Sequence, residues 1–321
     1  MNFLIVGAGA IGFHLSYLLS GKNKNVYVLC RKEKFNLINN NEIFLEINDN
    51  DKLIEKVDLK KLNIKFIKTL NECKKINFDY IFITIKLVSN FKKTYENIKT
   101  IIKKKTLVIT PCTILPSWWL KKYGKKKSYD QNDFNNQILC MTMWISGQMK
   151  KNLITIRHTQ RGYPIGEIYK KNERDCSKLR KIFQKKTKSP YINDVYGELY
   201  LKVINSFAFN LVAIHFEMNN YQLSINRSAI NLLKEIMKEF DVIVMKLGLT
   251  INQSINSRIK QTLKSKNHTM SMLSDFKQKK KLELENQWKS LNKIRGIKRE
   301  NIRVSEKIYI KVSSKINNAY I

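Results

Sequence analysis

Three glycines near the start of the chain and one lysine past its middle have the residue types and spacing that chemistry needs. Gly7-Ala8-Gly9-Ala10-Ile11-Gly12 fits the spacing G-x-G-x-x-G, directly after the apolar run Asn2 to Val6 and directly before the helical run Phe13 to Leu19. Each glycine has its own physical reason. Gly7 permits a tight turn, Gly9 lets the backbone approach a ligand, and Gly12 lets the helix pack closely on the strand. The amides of Gly7 through Gly12 and the positive end of the helix dipole then face an anion, so this turn is predicted to hold the pyrophosphate of a dinucleotide.

The end of the following strand selects the dinucleotide. An acidic residue there hydrogen-bonds the ribose of NAD, whereas a basic one suits the extra phosphate of NADP. Here Val26-Tyr27-Val28-Leu29 runs into Cys30-Arg31-Lys32. Arg31 offers a bidentate grip on a phosphate and Lys32 a point charge. NADP(H) is therefore the predicted cofactor, with NAD left open by Glu33 just beyond the usual position.

Lys202 lies in Glu198 to Ile214, a segment apolar around most of a helical circumference. An ammonium buried there needs a partner or a cavity, and desolvation moves a lysine toward the range useful for proton transfer. Ser206 and Asn210 follow at i+4 and i+8, giving one polar face. By spacing alone an ordinary i−4 salt bridge to Glu198 explains Lys202 equally well.

The elements that must position these residues fall into two groups. Runs at Asn2–Val6, Asn25–Leu29, Asn63–Ile67, Tyr80–Ile85 and Leu107–Thr110 alternate with helix-like stretches, the pattern of a parallel sheet covered by helices. Ile138–Trp144 and Leu153–Arg157, before the turn-rich segment 161–167, read as the late part of the same sheet. From Tyr191 onward proline is absent, glycine is rare, and apolar residues recur at helical spacing through Leu199–Phe216, Ala229–Leu247 and Leu282–Ile294. The predicted fold is α/β: a Rossmann-type parallel sheet over residues 1–190, then an all-helical domain over 191–321 that completes the active-site cleft.

The chain has 321 residues, 43% of them hydrophobic, so wholesale disorder is excluded and two cores are expected. Its formal charge of +34 raises the question of a nucleic-acid partner. Lysine, asparagine and isoleucine are abundant everywhere, and no basic motif interleaved with aromatics occurs, so the charge reads as solvated surface. The clusters 121–127 and 277–281 fit that reading. The five cysteines, Cys30, Cys73, Cys112, Cys140 and Cys176, show no C-x-x-C spacing, which indicates neither a disulfide framework nor zinc. No apolar run approaches the eighteen or so residues of a membrane span, and Met1 to Phe13 carries neither a basic leader nor a cleavage site. The expectation is a cytoplasmic protein without a metal.

The glycine turn, Arg31, Lys86 in Phe82-Ile83-Thr84-Ile85-Lys86, Ile165-Gly166-Glu167, the Glu198-Leu199-Tyr200-Leu201-Lys202 helix, Ser271-Met272-Leu273 with Asp275, and Glu283-Leu284-Glu285 occur in that order. Read together, the chain resembles the ketopantoate reductase family across nearly its whole length. The resemblance implies NADPH-dependent reduction of 2-oxopantoate to pantoate, on the route to pantothenate and coenzyme A; the sequence leaves monomer and homodimer both open. It implies that Lys202 is the general acid and that Glu283 holds the reacting oxygen and orients the lysine. Ser271 and Asn210 would bind the substrate's polar groups, with Ser206 beside them, and Lys86 would face cofactor and substrate.

Three departures bear on the substrate. Thr110-Pro111-Cys112-Thr113 stands where the family has an Asn-Gly pair, Ser206 where it has a helix asparagine, and Gln287-Trp288 where it has a second Asn-Gly. They leave open a reductase of another 2-oxoacid or an imine, and a non-catalytic nucleotide- or nucleic-acid-binding protein. Cys112 has no histidine near it and reads as space-filling; His14, His158 and His215 read as packing or surface residues, and His268 as the histidine nearest the pocket.

Overall fold

The structure is a computed structural model describing all residues except 50–51, 89–90, 112, 126–133, 135–136 and 321, and the side chains of 91, 92, 111, 159 and 160. It divides into two compact units, Met1–Pro111 with Phe134–Val195, and Cys112–Asp133 with Tyr196–Ile321.

Among the described residues, the first unit holds strands β1 (Asn2–Val6), β2 (Asn25–Leu29), β3 (Phe44–Asp49), β4 (Lys52–Asp58), β5 (Ile64–Ile67), β6 (Tyr80–Ile83), β7 (Leu107–Pro111), β8 (Ile138–Met141), β9 (Trp144–Lys150), β10 (Leu153–Gly162) and β11 (Ile165–Glu167). Helices α1 (Ala10–Leu19), α2 (Lys32–Asn40), α3 (Phe91–Lys99) and α5 (Glu173–Phe183) accompany them. Helix α4 (Ser117–Tyr123) belongs to the second unit. A seven-stranded sheet runs β11-β8-β7-β6-β1-β2-β5, parallel except for the edge pair β11 and β8. Its central strands are continuous apolar runs buried on both faces, as Tyr80-Ile81-Phe82-Ile83 is, whereas β2 next to the edge alternates buried and half-buried residues. From β1 the chain winds outward through β2 to β5, then crosses to β6 on the other side of β1. The carboxyl ends of β1 and β6 thus flank the point where the winding reverses, the place at which open α/β sheets bind ligands.

Two expectations need correction. The run Ile138–Trp144 is broken after Met141, where the Thr142 amide turns to the Pro164 carbonyl at 3.1 Å. β9 and β10 leave the first sheet and form a second, four-stranded one, ordered β4-β3-β10-β9. Its β3–β4 pair was not expected; Ile43, Leu45 and Ile47 alternate into the core while β4 is almost wholly exposed. The strand over Tyr80–Ile85 also stops early, at Ile83, because Thr84 bends into the glycine turn.

The second unit is helical: α4, α6 (Val195–Phe216), α7 (Asn220–Ile225), α8 (Arg227–Lys246), α9 (Ile255–Leu263), α10 (Ser271–Lys277), α11 (Leu284–Leu291) and α12 (Arg303–Tyr320). Contrary to the expectation from the apolar runs, α6 at 22 residues is long and apolar enough to cross a membrane, but most of it is buried inside the protein as a core helix. α8 starts on a side-chain cap, Asn226 Oδ1 accepting from the Ala229 amide at 2.9 Å, and ends shortly before Gly248 at φ +83°. A buried network ties α6, α8 and α9: Tyr200 donates to Asp241 Oδ1 at 2.8 Å, and Arg258, 1% exposed, pairs with the same carboxylate.

Candidate active site

The glycine turn is built as its sequence requires. Gly7 has φ +119°, and its amide donates to the Leu29 carbonyl at 3.0 Å. A Cβ on Gly12 would lie 1.9 Å from the Gly7 carbonyl oxygen, so only glycine fits. A Cβ on Gly9 would meet nothing within 4 Å, leaving the turn open on that side. Gly9 is the N-cap of α1, with no side chain capping the helix and no acidic residue in its first turn, so the dipole's positive end is uncompensated. Ala10, Ile11 and Gly12 form that first turn, and Ala10 and Ile11 also pack on Gly147 of β9.

Thr84, which carried no signal in the sequence beyond its strand-end position, clamps this turn. Its hydroxyl lies 3.1 Å from the Val6 carbonyl and 3.0 Å from that of Gly7, and its amide donates to Val6 at 2.9 Å. Lys86, two residues on, is exposed just past β6. Arg31 is the N-cap of α2 and Lys32 its first residue; both are exposed, as is Glu33.

In the helical unit a second constellation forms around Ser206. Lys202 and Ser206 are half-buried on one face of α6, and Asn210 lies one turn further on. Asn210 is 3% exposed, and both ends of its amide are engaged: Oδ1 accepts from the Met272 amide at 3.1 Å, and Nδ2 donates to the Ser206 carbonyl at 2.7 Å and to Ser206 Oγ at 3.3 Å. Ser271, exposed, begins α10 immediately before Met272. Glu283 is the half-buried N-cap of α11, and its Oε1 accepts from the Thr113 hydroxyl at 3.2 Å. One turn along α11, Gln287 donates from Nε2 to the Thr113 carbonyl at 3.0 Å and to Ser206 Oγ at 3.1 Å. Ser206, Asn210 and Glu283 thereby join one hydrogen-bonded chain whose links, Thr113 and Gln287, stood in the sequence only within segments that depart from the family pattern, with no role assigned to either.

The departures separate physically. Trp288 stacks between Phe207, at 5.8 Å, and Tyr309, at 4.6 Å, within an apolar cluster. Pro111 ends β7, and Cys112 lies outside the described residues. The His268 carbonyl accepts the Asn220 amide at 3.0 Å. His14 is fully buried, its Nδ1 2.7 Å from the Tyr163 hydroxyl and its Nε2 3.3 Å from His158 Nε2. Burial holds both imidazoles below their ordinary pKa, His14 far below.

Among known proteins, the family "Ketopantoate reductase PanE/ApbA" matches residues 3–111, and its C-terminal counterpart matches residues 194–294. The chain belongs to the ketopantoate reductase family. This is a family of oxidoreductases, and its members' fold is the one described above. The PanE/ApbA family ketopantoate reductase of Ralstonia eutropha JMP134 superposes with a TM-score of 0.75 at 15% identity, covering 100% of both chains. The 2-dehydropantoate 2-reductase of Geobacter metallireducens GS-15 gives 0.77 at 15%, covering 97% of this chain and 99% of its own. A D-mandelate dehydrogenase, in a ternary structure with NADH and anilino(oxo)acetate, gives 0.77 at 15% with full coverage of both. No curated protein matches the sequence.

Proposed function

We propose that this family member reduces a 2-oxoacid to the 2-hydroxyacid with NADPH, and that 2-dehydropantoate is its substrate. The observation that carries the reading is the hydrogen-bonded chain from Glu283 through Thr113 and Gln287 to Ser206, one helical turn from Lys202. It fixes a carboxylate and a hydroxyl in the same unit as a half-buried ammonium, which is the equipment for delivering a proton to a developing alkoxide.

The residues present fit a dinucleotide. Gly9 leaves the open approach that a pyrophosphate needs, the uncapped first turn of α1 supplies amides, and Arg31 with Lys32 suits a 2′-phosphate. When bound, the nicotinamide supplies the hydride. Lys202 donates its proton to the carbonyl oxygen at C2 as negative charge gathers there, a charge present only in the transition state. Glu283 accepts a hydrogen bond from the product hydroxyl and orients the lysine. Ser206 and Ser271 hold the substrate's polar groups, and Lys86 attracts its carboxylate. The thiols of Cys30, Cys73, Cys140 and Cys176, buried and outside any disulfide, suit the reducing cytoplasm in which this reaction belongs.

The purified protein should oxidise NADPH when given 2-dehydropantoate. Lys202→Ala should lower turnover by about three orders of magnitude while leaving NADPH affinity nearly unchanged; unaltered turnover would refute the assigned role. A second reading, the same reaction on a different 2-oxoacid, is favoured by Pro111 and by the Ser206–Gln287 pair where the family has asparagines. A panel of 2-oxoacids decides between them by kcat/KM.

A further inference from the structure

Ser206 Oγ is approached by two amide nitrogens, Gln287 Nε2 at 3.1 Å and Asn210 Nδ2 at 3.3 Å. Backbone groups fix which way both amides face. The Met272 amide can only donate, so it must meet Asn210 Oδ1, which turns Nδ2 toward Ser206. The Thr113 carbonyl can only accept, so it must meet Gln287 Nε2. A serine hydroxyl has two acceptor positions and one hydrogen. With both acceptor positions taken, the hydrogen is available only for donation.

Gln287 is completely buried, and its Oε1 has no hydrogen-bond partner. A buried acceptor left unsatisfied is destabilising, and an apolar side chain of equal length would avoid the penalty. The amide is accounted for by what its nitrogen does: one hydrogen holds the Thr113 carbonyl, whose own hydroxyl holds Glu283, and the other fixes Ser206.

We infer that Gln287 is a positioning residue that makes the Ser206 hydroxyl a donor only, so that the site selects a substrate carrying an acceptor, the carboxylate oxygen of a 2-oxoacid, at that point. The inference rests on the reductase reading above. It assigns a function to the replacement of the helix asparagine by Ser206: the amide has moved from α6 to α11, and the group offered to the substrate has become a hydroxyl with its polarity set from behind. Half-buried, Ser206 keeps the access that such a contact needs.

The test is a double-mutant cycle on the full-length protein, using the best 2-oxoacid from the panel. Gln287→Met and Ser206→Ala should each lower kcat/KM about 10- to 100-fold, the worth of one hydrogen bond to a charged group. The double variant should lose clearly less than the product of the two single losses, because Gln287 acts in part through Ser206; the part it exerts through Thr113 and Glu283 remains. Gln287→Glu, nearly isosteric, tests the polarity directly. Its neutral carboxyl has one hydrogen in place of the amide's two and keeps only one of the two donations, whereas its anion keeps neither and draws the Ser206 hydrogen onto itself, so kcat/KM should fall further with rising pH along a limb the native enzyme lacks. This variant also serves if Gln287→Met fails to fold. Multiplicative losses in the cycle, or no new pH limb in Gln287→Glu, would overturn the inference alone. No turnover of any 2-oxoacid by the native protein would overturn the reductase reading and this inference with it.

Discussion

Replacing Gly12 by alanine separates what the glycine turn needs for folding from what it needs for binding. An added Cβ would lie 1.9 Å from the Gly7 carbonyl oxygen and 3.1 Å from Thr84 Oγ1. Relief requires that carbonyl to retreat by about an ångström or more to restore ordinary contact, and it is pinned. The Gly7 amide is bonded to Leu29 at 3.0 Å, and the Thr84 hydroxyl reaches the Gly7 oxygen at 3.0 Å. Overpacking at the upper end of its usual range, with these contacts stretched, sums to about 3 kcal/mol. At roughly 2–4 °C per kcal/mol for a domain of this size, melting should fall by about 6–12 °C. Gly9→Ala is the counterpart. Its φ of −92° admits alanine and its Cβ would touch nothing, so stability should change by less than about 1 kcal/mol. The new methyl would nevertheless stand where a pyrophosphate must approach, and NADPH affinity should fall at least about tenfold, one lost contact's worth. Thermal unfolding and a fluorescence titration of NADPH read the two effects. Gly12→Ala melting within about 2 °C of the native protein, or Gly9→Ala binding NADPH normally, would refute the reasoning.

Arg31→Ala should weaken NADPH binding about 10- to 100-fold and leave NADH nearly unaffected, since only the 2′-phosphate distinguishes them; equal losses for both would give Arg31 a different role. Burial holds His14 well below its ordinary 6.5, so the unfolded chain binds a proton there that the folded chain does not. The stability His14 contributes is present above pH 6.5 and lost below it. Urea unfolding at about pH 7.5 and about pH 5.5 should differ by about 1.4 kcal/mol from this residue, and His14→Gln should flatten that slope. Asp241→Leu strands the buried Arg258 guanidinium and removes the partner of Tyr200; a loss of about 3–5 kcal/mol in chemical unfolding is expected, and a loss below about 1 kcal/mol would show the charge re-solvated.

The first sheet was legible because its central strands are continuous apolar runs, and the glycine turn because at Gly7 and Gly12 glycine is the only residue that serves its sterics. The second sheet was not. Its outer strand β4 is exposed along most of its length, so between residues 43 and 58 period-two alternation survives only in the short run Ile43, Leu45, Ile47. The change of sheets after Met141 rests on Thr142 finding the Pro164 carbonyl, a contact no local pattern encodes. The site divides along the same line. Lys202, Ser206 and Asn210 share a helical face by spacing alone, whereas Thr113 and Gln287 belong to the site only because folding carries a loop residue and a glutamine to Ser206 and Glu283. Gln287-Trp288 shows why reading residues in pairs fails. Neighbours on a helix point about 100° apart, so Gln287 enters the polar network while Trp288 enters the stack between Phe207 and Tyr309. What reads along the chain as one lost Asn-Gly motif is, in three dimensions, a packing residue beside a donor that orients the Ser206 hydroxyl.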